Sequence, residues 1–170
     1  MGDGTNLERD QIKPVPEFDG VKAVVAGFAH SLALRSDGTV WGWGADMFGQ
    51  LGNGAPARLP GLPPLPDFGS TLPVQTLDLS DVVAVAAGIF HSLALKADGS
   101  TWAWGANSYG QVGDGTTNHQ DTPKAVLGLS GARALAGGGF HSLAATADGA
   151  VWAWGRNDYG QLGNAVAGAS

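Results

Sequence analysis

The sequence predicts an all-β fold made of four-stranded antiparallel sheets, the kind that form the blades of a β-propeller. Three 26-residue blocks, at 27–52, 88–113 and 138–163, align without gaps, and thirteen of their columns are identical. Each block places an Asp-Gly dipeptide between two strand-like runs, which favours a tight hairpin turn. Four short strands in about 50 residues are typical of a propeller blade rather than of a helical repeat. We therefore expect three blades.

The second repeat illustrates each predicted strand in turn. Residues 81–88 are rich in Ala and Val and suit the crowded strand near the axis of a propeller. Residues 91–96 alternate large with small side chains, as expected for a strand buried on both faces. The third strand carries Trp102 and Trp104 on one face, and the fourth runs over 123–129 behind a proline. Stacked blades would bury both faces of such a sheet.

Three residue types recur in every repeat and are predicted to be structural. They are the histidines His30, His91 and His141; the turn acids Asp37, Asp98 and Asp148; and the tryptophans Trp41, Trp43, Trp102, Trp104, Trp152 and Trp154. We expect each histidine to bond the following serine within its blade, the aspartates to shape the hairpin turns, and the tryptophans to fill the core.

The same repetition argues against catalysis and against a metal site. A Ser-His-Asp hydrolase needs one special copy of its residues, whereas a fold needs the same residue in every copy. Equivalent histidines in successive blades would be separated by at least ~10 Å, too far to share one zinc ion. The glycine-rich strings match no phosphate-binding motif. We expect no catalytic residue, no metal and no cofactor.

Composition excludes several further classes of protein. The 170 residues include 28 Gly and no Cys, so a disulfide scaffold and a thiolate zinc site are excluded. A net charge of −6 without a basic patch argues against nucleic acid. No run of 18 apolar residues is present to span a membrane, and this chain starts with no signal peptide. We expect a soluble protein whose compartment is unknown.

The repeat resembles that of a known family. The pattern AxGxxHSLAL, then DGxVWxWGxNxxGQLG, then a proline, is similar to the repeat of the regulator of chromosome condensation family, over roughly residues 14–163. The resemblance implies a β-propeller, usually of seven blades, that serves as a docking surface. Two positions depart from the pattern: Asp46 stands where Asn107 and Asn157 fit it, and Ala145 replaces a leucine.

Three blades are too few to close a ring, because closed propellers have from about four to eight. We divide the chain into an N-terminal extension, 1–13, and a three-repeat partial propeller, 14–170. If the proline-led strands at 14–18, 73–79 and 123–129 each form the outer edge of the preceding blade, as the resemblance suggests, the third blade lacks one and 14–18 is left over. The chain is then either part of a longer propeller or a part-propeller that two copies complete as six blades.

Two groups of residues are candidates for protein contact. The first is the proline-rich insertion 55–72, which either packs its leucines on the blade edge or protrudes as a contact element. The second is the set of aromatic residues in the loops after the Trp strands, whereas His119 is expected to be a solvated loop residue. The candidate contact residues are Arg58, Leu62, Leu65, Phe68, Phe48, Tyr109 and Tyr159.

The leading function is therefore a non-catalytic module that binds or scaffolds an unknown protein partner through loops on one propeller face. A guanine nucleotide exchange factor for a small GTPase, the best-known activity of the family, is the first alternative. An enzyme-inhibiting or glycan-binding bacterial propeller is the second alternative.

Overall fold

The computed structural model of the protein describes residues 2–55 and 69–164, and all regular elements within them are β-strands arranged in three antiparallel sheets. The first sheet contains β1 (Val21–Ala26), β2 (His30–Arg35), β3 (Val40–Ala45) and β4 (Gly69–Gln75). The second contains β5 (Val82–Ala87), β6 (His91–Lys96), β7 (Thr101–Gly105) and β8 (Gln120–Ala125). The third contains β9 (Ala132–Gly137), β10 (His141–Thr146) and β11 (Val151–Gly155). No helix in the described ranges is long and apolar enough to cross a membrane.

Each sheet is a meander in which strands pair in chain order, so the sheets are the three predicted blades. The outer strands β4 and β8 pair with the Trp strands β3 and β7, and therefore belong to the preceding blade, as expected. The third blade has three strands in the described residues.

The predicted bounds of the outer strands were wrong. Pro73 and Pro123 do not open these strands but lie inside β4 and β8. A proline is tolerated there because the outer strand is an edge and its missing N–H is not needed. Residues 14–18 form no strand: a turn with Glu17 at a φ of 52° occupies this place, and the Phe18 ring packs against those of Trp41 and Trp43 on β3, with centroids 5.8 and 6.0 Å apart.

The hairpin turns follow the Asp-Gly signal. In the first blade Gly38 has a φ of 80°, which glycine adopts without strain. The Asp37 carboxylate accepts the N–H of Thr39 at 3.0 Å and its hydroxyl at 2.6 Å. Ser100 bonds Asp98 in the same way, and Asp148 accepts the N–H of residue 150.

The hydrophobic core lies between neighbouring blades. One cluster, with Leu32 and Trp104, fills the space between the first and second blades, and a second, with Leu93 and Ala144, fills the space between the second and third. Trp104 is fully buried, but Trp152 is 47% exposed. The prediction that all six tryptophans are core residues was therefore wrong for Trp152, because β11 has no fourth strand over it in the described chain.

The inner strands β1, β5 and β9 run side by side near the axis and leave little room for side chains. Ile89 links the blades here, accepting the N–H of Phe28 and donating to the carbonyl of Gly139, each at 3.3 Å. A Cβ on Gly88 would lie 2.1 Å from Cε1 of His91 and 2.5 Å from the carbonyl oxygen of Gly138. Close packing therefore requires the glycine three residues before each repeated histidine, which is Gly27, Gly88 or Gly138.

Candidate protein-interaction site

The repeated histidines connect neighbouring blades instead of bonding within one, so that part of the prediction was wrong. His30 Nε2 lies 3.1 Å from Ser92 Oγ of the next blade. Ser92 Oγ donates to the backbone carbonyl of Gln50 at 2.7 Å, and Trp104 Nε1 donates to the same carbonyl at 2.9 Å. We call this arrangement a blade joint: a histidine and a glutamine carbonyl from one blade meet a serine and a tryptophan from the next.

The second and third blades are connected by the same joint. His91 Nε2 is 3.0 Å from Ser142 Oγ, which donates to the carbonyl of Gln111 at 2.8 Å. Trp154 Nε1 donates to this carbonyl, also at 2.8 Å. Two joints with the same four groups explain why histidine, serine, glutamine and the second tryptophan recur in every repeat.

The hydrogen bonds fix the protonation state of the joint histidines. The single hydroxyl proton of each serine goes to a carbonyl, so the histidine Nε2 must carry a hydrogen and donate it. Burial lowers the pKa of His30 to about 4 and that of His91 to about 4, because the charged ring would lose its water. Both rings are neutral donors at pH 7 and are not poised as general bases.

The described residues bring together no Ser-His-Asp triad. Asp37, Asp98 and Asp148 lie in the hairpin turns, at the opposite end of the sheets from the histidines, and are exposed. Hydrogen bonds within these turns hold their pKa values below the ordinary range. Residues 2–55 and 69–164 also contain no group of three acidic or histidine side chains placed to hold a metal ion.

Asp46, the departure from the asparagine of the other repeats, is buried in the loop after β3. Its Oδ1 accepts the N–H of Leu51 at 2.8 Å, as Asn107 Oδ1 accepts that of Val112 at 2.9 Å. Burial, with a smaller contribution from the nearby charge of Asp121, raises the pKa of Asp46 to about 6 although the Leu51 N–H opposes this shift. The position therefore suits an uncharged amide better than a carboxylate.

One end of the three sheets carries a continuous group of aromatic side chains. It is built by the loops that join the first two strands of each blade and by the loops that follow the Trp strands. We call it the aromatic surface; it comprises the rings of Phe28, Phe48, Phe90, Tyr109, His119 and Phe140 together with Arg156, whose guanidinium stacks on two of them.

The rings of the aromatic surface contact one another across the blades. Phe90 is central: its centroid lies 5.9 Å from that of Phe28, 5.3 Å from that of Phe48 and 6.5 Å from that of Phe140. Tyr109 packs edge-on against Phe140 at 5.6 Å. Such tilted and edge-to-face contacts are favourable for aromatic pairs, so each ring supports the next.

Besides His119, four members of the aromatic surface were missed by sequence reasoning, namely Phe28, Phe90, Phe140 and Arg156. The three phenylalanines stand one or two residues before the repeated histidines, and no role was predicted for them. The usable signal was their position in a loop at the same end as Phe48 and Tyr109, which were predicted as contacts and lie here.

Two further residues complete this end of the fold. Tyr159, predicted as a contact, occupies the equivalent loop of the third blade and is 88% exposed. His119 is not a solvated loop residue: its Nδ1 accepts the N–H of Asn107 at 3.0 Å, and its ring lies 4.9 Å from that of Phe48. The remaining predicted contacts lie outside the described residues: Arg58, Leu62, Leu65 and Phe68.

Comparison with known proteins identifies the repeat. The model of the "Regulator of chromosome condensation (RCC1) repeat" matches residues 21–50, 82–111 and 132–161, and a second model of the same description matches 37–95 and 98–145. The chain is 35% identical over 107 residues to the human E3 ubiquitin-protein ligase HERC2, a match that covers 63% of this chain and 2% of HERC2.

Solved structures agree with the fold. Human WBSCR16 superposes with a TM-score of 0.72 at 30% identity, covering 86% of this chain and 36% of that one. Prp20p from Saccharomyces cerevisiae, studied for its binding to Gsp1p and histones, superposes with a TM-score of 0.75 at 25% identity, covering 91% and 37%. The chain therefore spans about a third of either propeller chain and a small part of HERC2. On its three matched repeats and its three blades, the chain belongs to the regulator of chromosome condensation repeat family.

Proposed function

We propose that the protein is a non-catalytic module that binds another protein through the aromatic surface. The observation that carries this proposal is the exposure of large rings on a mutually packed base: Phe28 is 76% exposed and Tyr109 is 46% exposed. Contiguous exposed apolar groups of this kind are unfavourable in water and mark interaction sites. Aromatic residues and arginine are also the types most enriched at the centres of protein interfaces.

Arg156 adds a polar anchor to the same surface. Its guanidinium lies 5.0 Å from the Tyr109 ring centroid and 5.7 Å from that of Phe140, and its Nε donates to the Asp158 carboxylate at 2.6 Å. Stacking on two rings holds the side chain in place, so little conformational entropy is lost when a partner binds it. A partner with a carboxylate or backbone carbonyls beside an apolar patch would fit this combination.

The family relationship supports a protein partner. Prp20p was studied for its binding to two kinds of protein, Gsp1p and histones. The match to HERC2 covers 2% of that ligase, so it offers no support for ligase activity in this chain. Guanine nucleotide exchange remains a narrower alternative that depends on which partner is found.

Site-specific photo-cross-linking tests the proposal. A photoreactive phenylalanine analogue placed at Phe28 or Tyr109 is expected to cross-link to a discrete protein, whereas the analogue at Lys124, exposed on the outer strand β8, is not. The purified partner should bind the Phe28→Ala variant about tenfold more weakly, because truncation of an aromatic interface contact typically has an effect of this size, about 1–2 kcal/mol.

Equal cross-linking from residue 124, or unchanged affinity of both Phe28→Ala and Tyr109→Ala, would contradict the proposal. If the cross-linked protein is a small GTPase, a nucleotide-release assay with the purified pair decides the exchange-factor alternative. If the chains with the photoreactive analogue at Phe28 or Tyr109 bind carbohydrate but cross-link to no protein, the glycan-binding alternative is favoured and the proposal is overturned.

A further inference from the structure

The two ends of the blade stack carry complementary halves of the blade joint. The third blade ends the stack with His141 and Gln161, which correspond to the histidine and the glutamine of the two joints inside the chain. The first blade begins the stack with Ser31 and Trp43, which correspond to the serine and the tryptophan. One copy of the chain thus contains both sides of a third joint, at opposite ends.

The N-terminal residues have the sequence of the end of a repeat. Residues 2–20, which we call the tail segment, align without gaps with residues 113–131 at the end of the second repeat, and eight of the 19 columns are identical. Both begin with Gly-Asp-Gly-Thr. The sequence alone had suggested an extension and a short strand here, so this relationship was missed.

The tail segment also packs on the first blade in the way that the end of the second repeat packs on the third blade. A Cβ on Gly2 would lie 3.3 Å from Nε1 of Trp43, and a Cβ on Gly113 would lie 2.9 Å from Nε1 of Trp154. The two glycines have nearly the same φ, 78° and 77°. Gly2 therefore lies beside Trp43 of the first blade as Gly113 of the second blade lies beside Trp154 of the third.

A backbone hydrogen bond gives the same correspondence. The N–H of Gly4 donates to the carbonyl of Thr71 on β4 at 2.9 Å. The equivalent bond joins the first and second blades: the N–H of Gly54, in the loop after β3, donates to the carbonyl of Asp121 on β8 at 3.0 Å. The tail segment thus corresponds to the end of a blade, and within residues 2–55 and 69–164 no further strands of such a blade lie beside it.

The third blade lacks the part that the tail segment would provide. Its edge strand β11 has no fourth strand in the described chain, and Trp152 stands half exposed beside an open groove of about 360 Å³ that Leu127 also lines. Within the tail segment Ile12 is fully exposed, although its counterpart Pro123 is buried in the complete second blade. An unpaired strand edge and an exposed apolar residue are two surfaces that mutual pairing would cover.

We propose that the chain associates head to tail with a second copy, so that the tail segment of each copy completes the third blade of the other. Residues 9–14 of one copy, the counterpart of β8, would pair with β11 of its partner, with Lys13 opposite Ala153, as Lys124 lies opposite Ala103 within the second blade. His141 and Gln161 would then form a blade joint with Ser31 and Trp43 of the partner copy. A second copy fits because the chain itself carries both halves of each contact.

The number of copies follows from the number of blades in a closed ring. Two copies give six blades, which lies within the range of about four to eight blades found in closed propellers, whereas three copies would give nine. Two head-to-tail contacts related by a two-fold axis close the assembly and leave no free end.

Cysteine cross-linking tests the pairing at the level of single residues, because the natural chain has no cysteine. In the Lys13→Cys/Ala153→Cys variant, opposite strand positions should be about 4.5–5.5 Å apart between Cα atoms, within the range that a disulfide can bridge. Mild oxidation is expected to give a covalent dimer on non-reducing electrophoresis, which reduction reverses. The matched control, Lys13→Cys/Ser100→Cys, places the second cysteine in the hairpin turn of the second blade and should remain a monomer.

Failure of the first variant to cross-link, a disulfide within one chain, or equal dimer formation by the control would overturn the proposal.

A second variant tests the joint. His141→Ala should weaken association about tenfold in sedimentation across a dilution series, since it removes one buried hydrogen bond from each contact, while the unfolding of the separated chain stays unchanged. An unaltered association constant for His141→Ala would contradict the proposed joint.

Discussion

Replacement of Asp46 by asparagine should stabilise the protein at neutral pH. The carboxylate is buried and its pKa is about 6 in the folded chain, against an ordinary value of 3.8. A raised acid pKa means that stability is complete below pH 3.8 and is lost as the pH rises through 6, because the folded state must ionise a buried group. At 1.36 kcal/mol per pKa unit, the loss above pH 6 is about 3 kcal/mol.

Asparagine would retain the useful contact and remove the charge. Its Oδ1 can accept the Leu51 N–H as the carboxylate does. Its Nδ2 can donate to Asn53, as Nδ2 of Asn157 donates to Asn164 at 2.8 Å seven residues later in the third repeat. The expected gain in the free energy of unfolding for Asp46→Asn is therefore up to about 3 kcal/mol above pH 6, and close to zero below pH 4.

Urea unfolding followed by tryptophan fluorescence, at equal protein concentration and at pH 7.5 and 4, measures this gain. The reverse change in the second repeat, Asn107→Asp, is the control: it should destabilise at pH 7.5, because it removes the Nδ2 donor and places a second carboxylate beside Asp114, now 3.1 Å from that donor. An Asp46→Asn variant that is no more stable than the natural chain at pH 7.5, or whose gain is the same at pH 4, would contradict a buried, pKa-shifted carboxylate at this position.

Three more changes test the packing of the blades. Because the pKa values of His30 and His91 are lowered to about 4, the unfolded chain binds protons below pH 6.5 before the folded chain does. The free energy of unfolding should therefore fall by about 3 kcal/mol per histidine between pH 6.5 and 4. NMR titration midpoints near 6.5 for the two rings would contradict this. Gly88→Ala should destabilise by more than about 2 kcal/mol, because its Cβ meets His91 and a backbone carbonyl, and an unchanged urea midpoint would contradict this close packing. Ser92→Ala should cost about 1–3 kcal/mol in the same assay, because it leaves the His30 ring N–H buried without its acceptor; a loss below 0.5 kcal/mol would mean that the joint contributes little.

Local signals in the sequence predicted the blades well. The Asp-Gly dipeptides mark the hairpin turns, since their geometry depends on the two residues themselves. The family resemblance, not a local signal, suggested that the proline runs belong to the preceding blade, and the pairing of β4 and β8 agrees with it. The starts of β4 and β8 were misplaced because Gly69 and Gln120 have little preference for strands and are held there by pairing with a neighbour.

Contacts between blades were harder to predict. The bond between His30 and Ser92 joins residues of different sheets, and strand periodicity carries no information about how sheets stack. The aromatic surface likewise forms only when loops of three blades meet at one end, and no local pattern around Phe28 indicates that meeting. The relationship of residues 2–20 to the end of a repeat is present in the sequence, but it is short and lies outside the 26-residue blocks.

A ring of two copies would also bear on the proposed function. A two-fold axis along the propeller axis keeps both aromatic surfaces on the same face, so a partner would meet two copies of Phe28 and Tyr109 on a single surface. Partner binding and ring closure would therefore be linked, while photo-cross-linking tests the first and disulfide cross-linking tests the second.

The solution mass of the purified chain tests the assembly most directly. Light scattering at micromolar concentration should give twice the chain mass of 17.2 kDa, because two copies complete six blades and leave no end to which a third could bind. A mass of 17.2 kDa, or a mass that keeps rising with concentration, would contradict the closed two-copy ring.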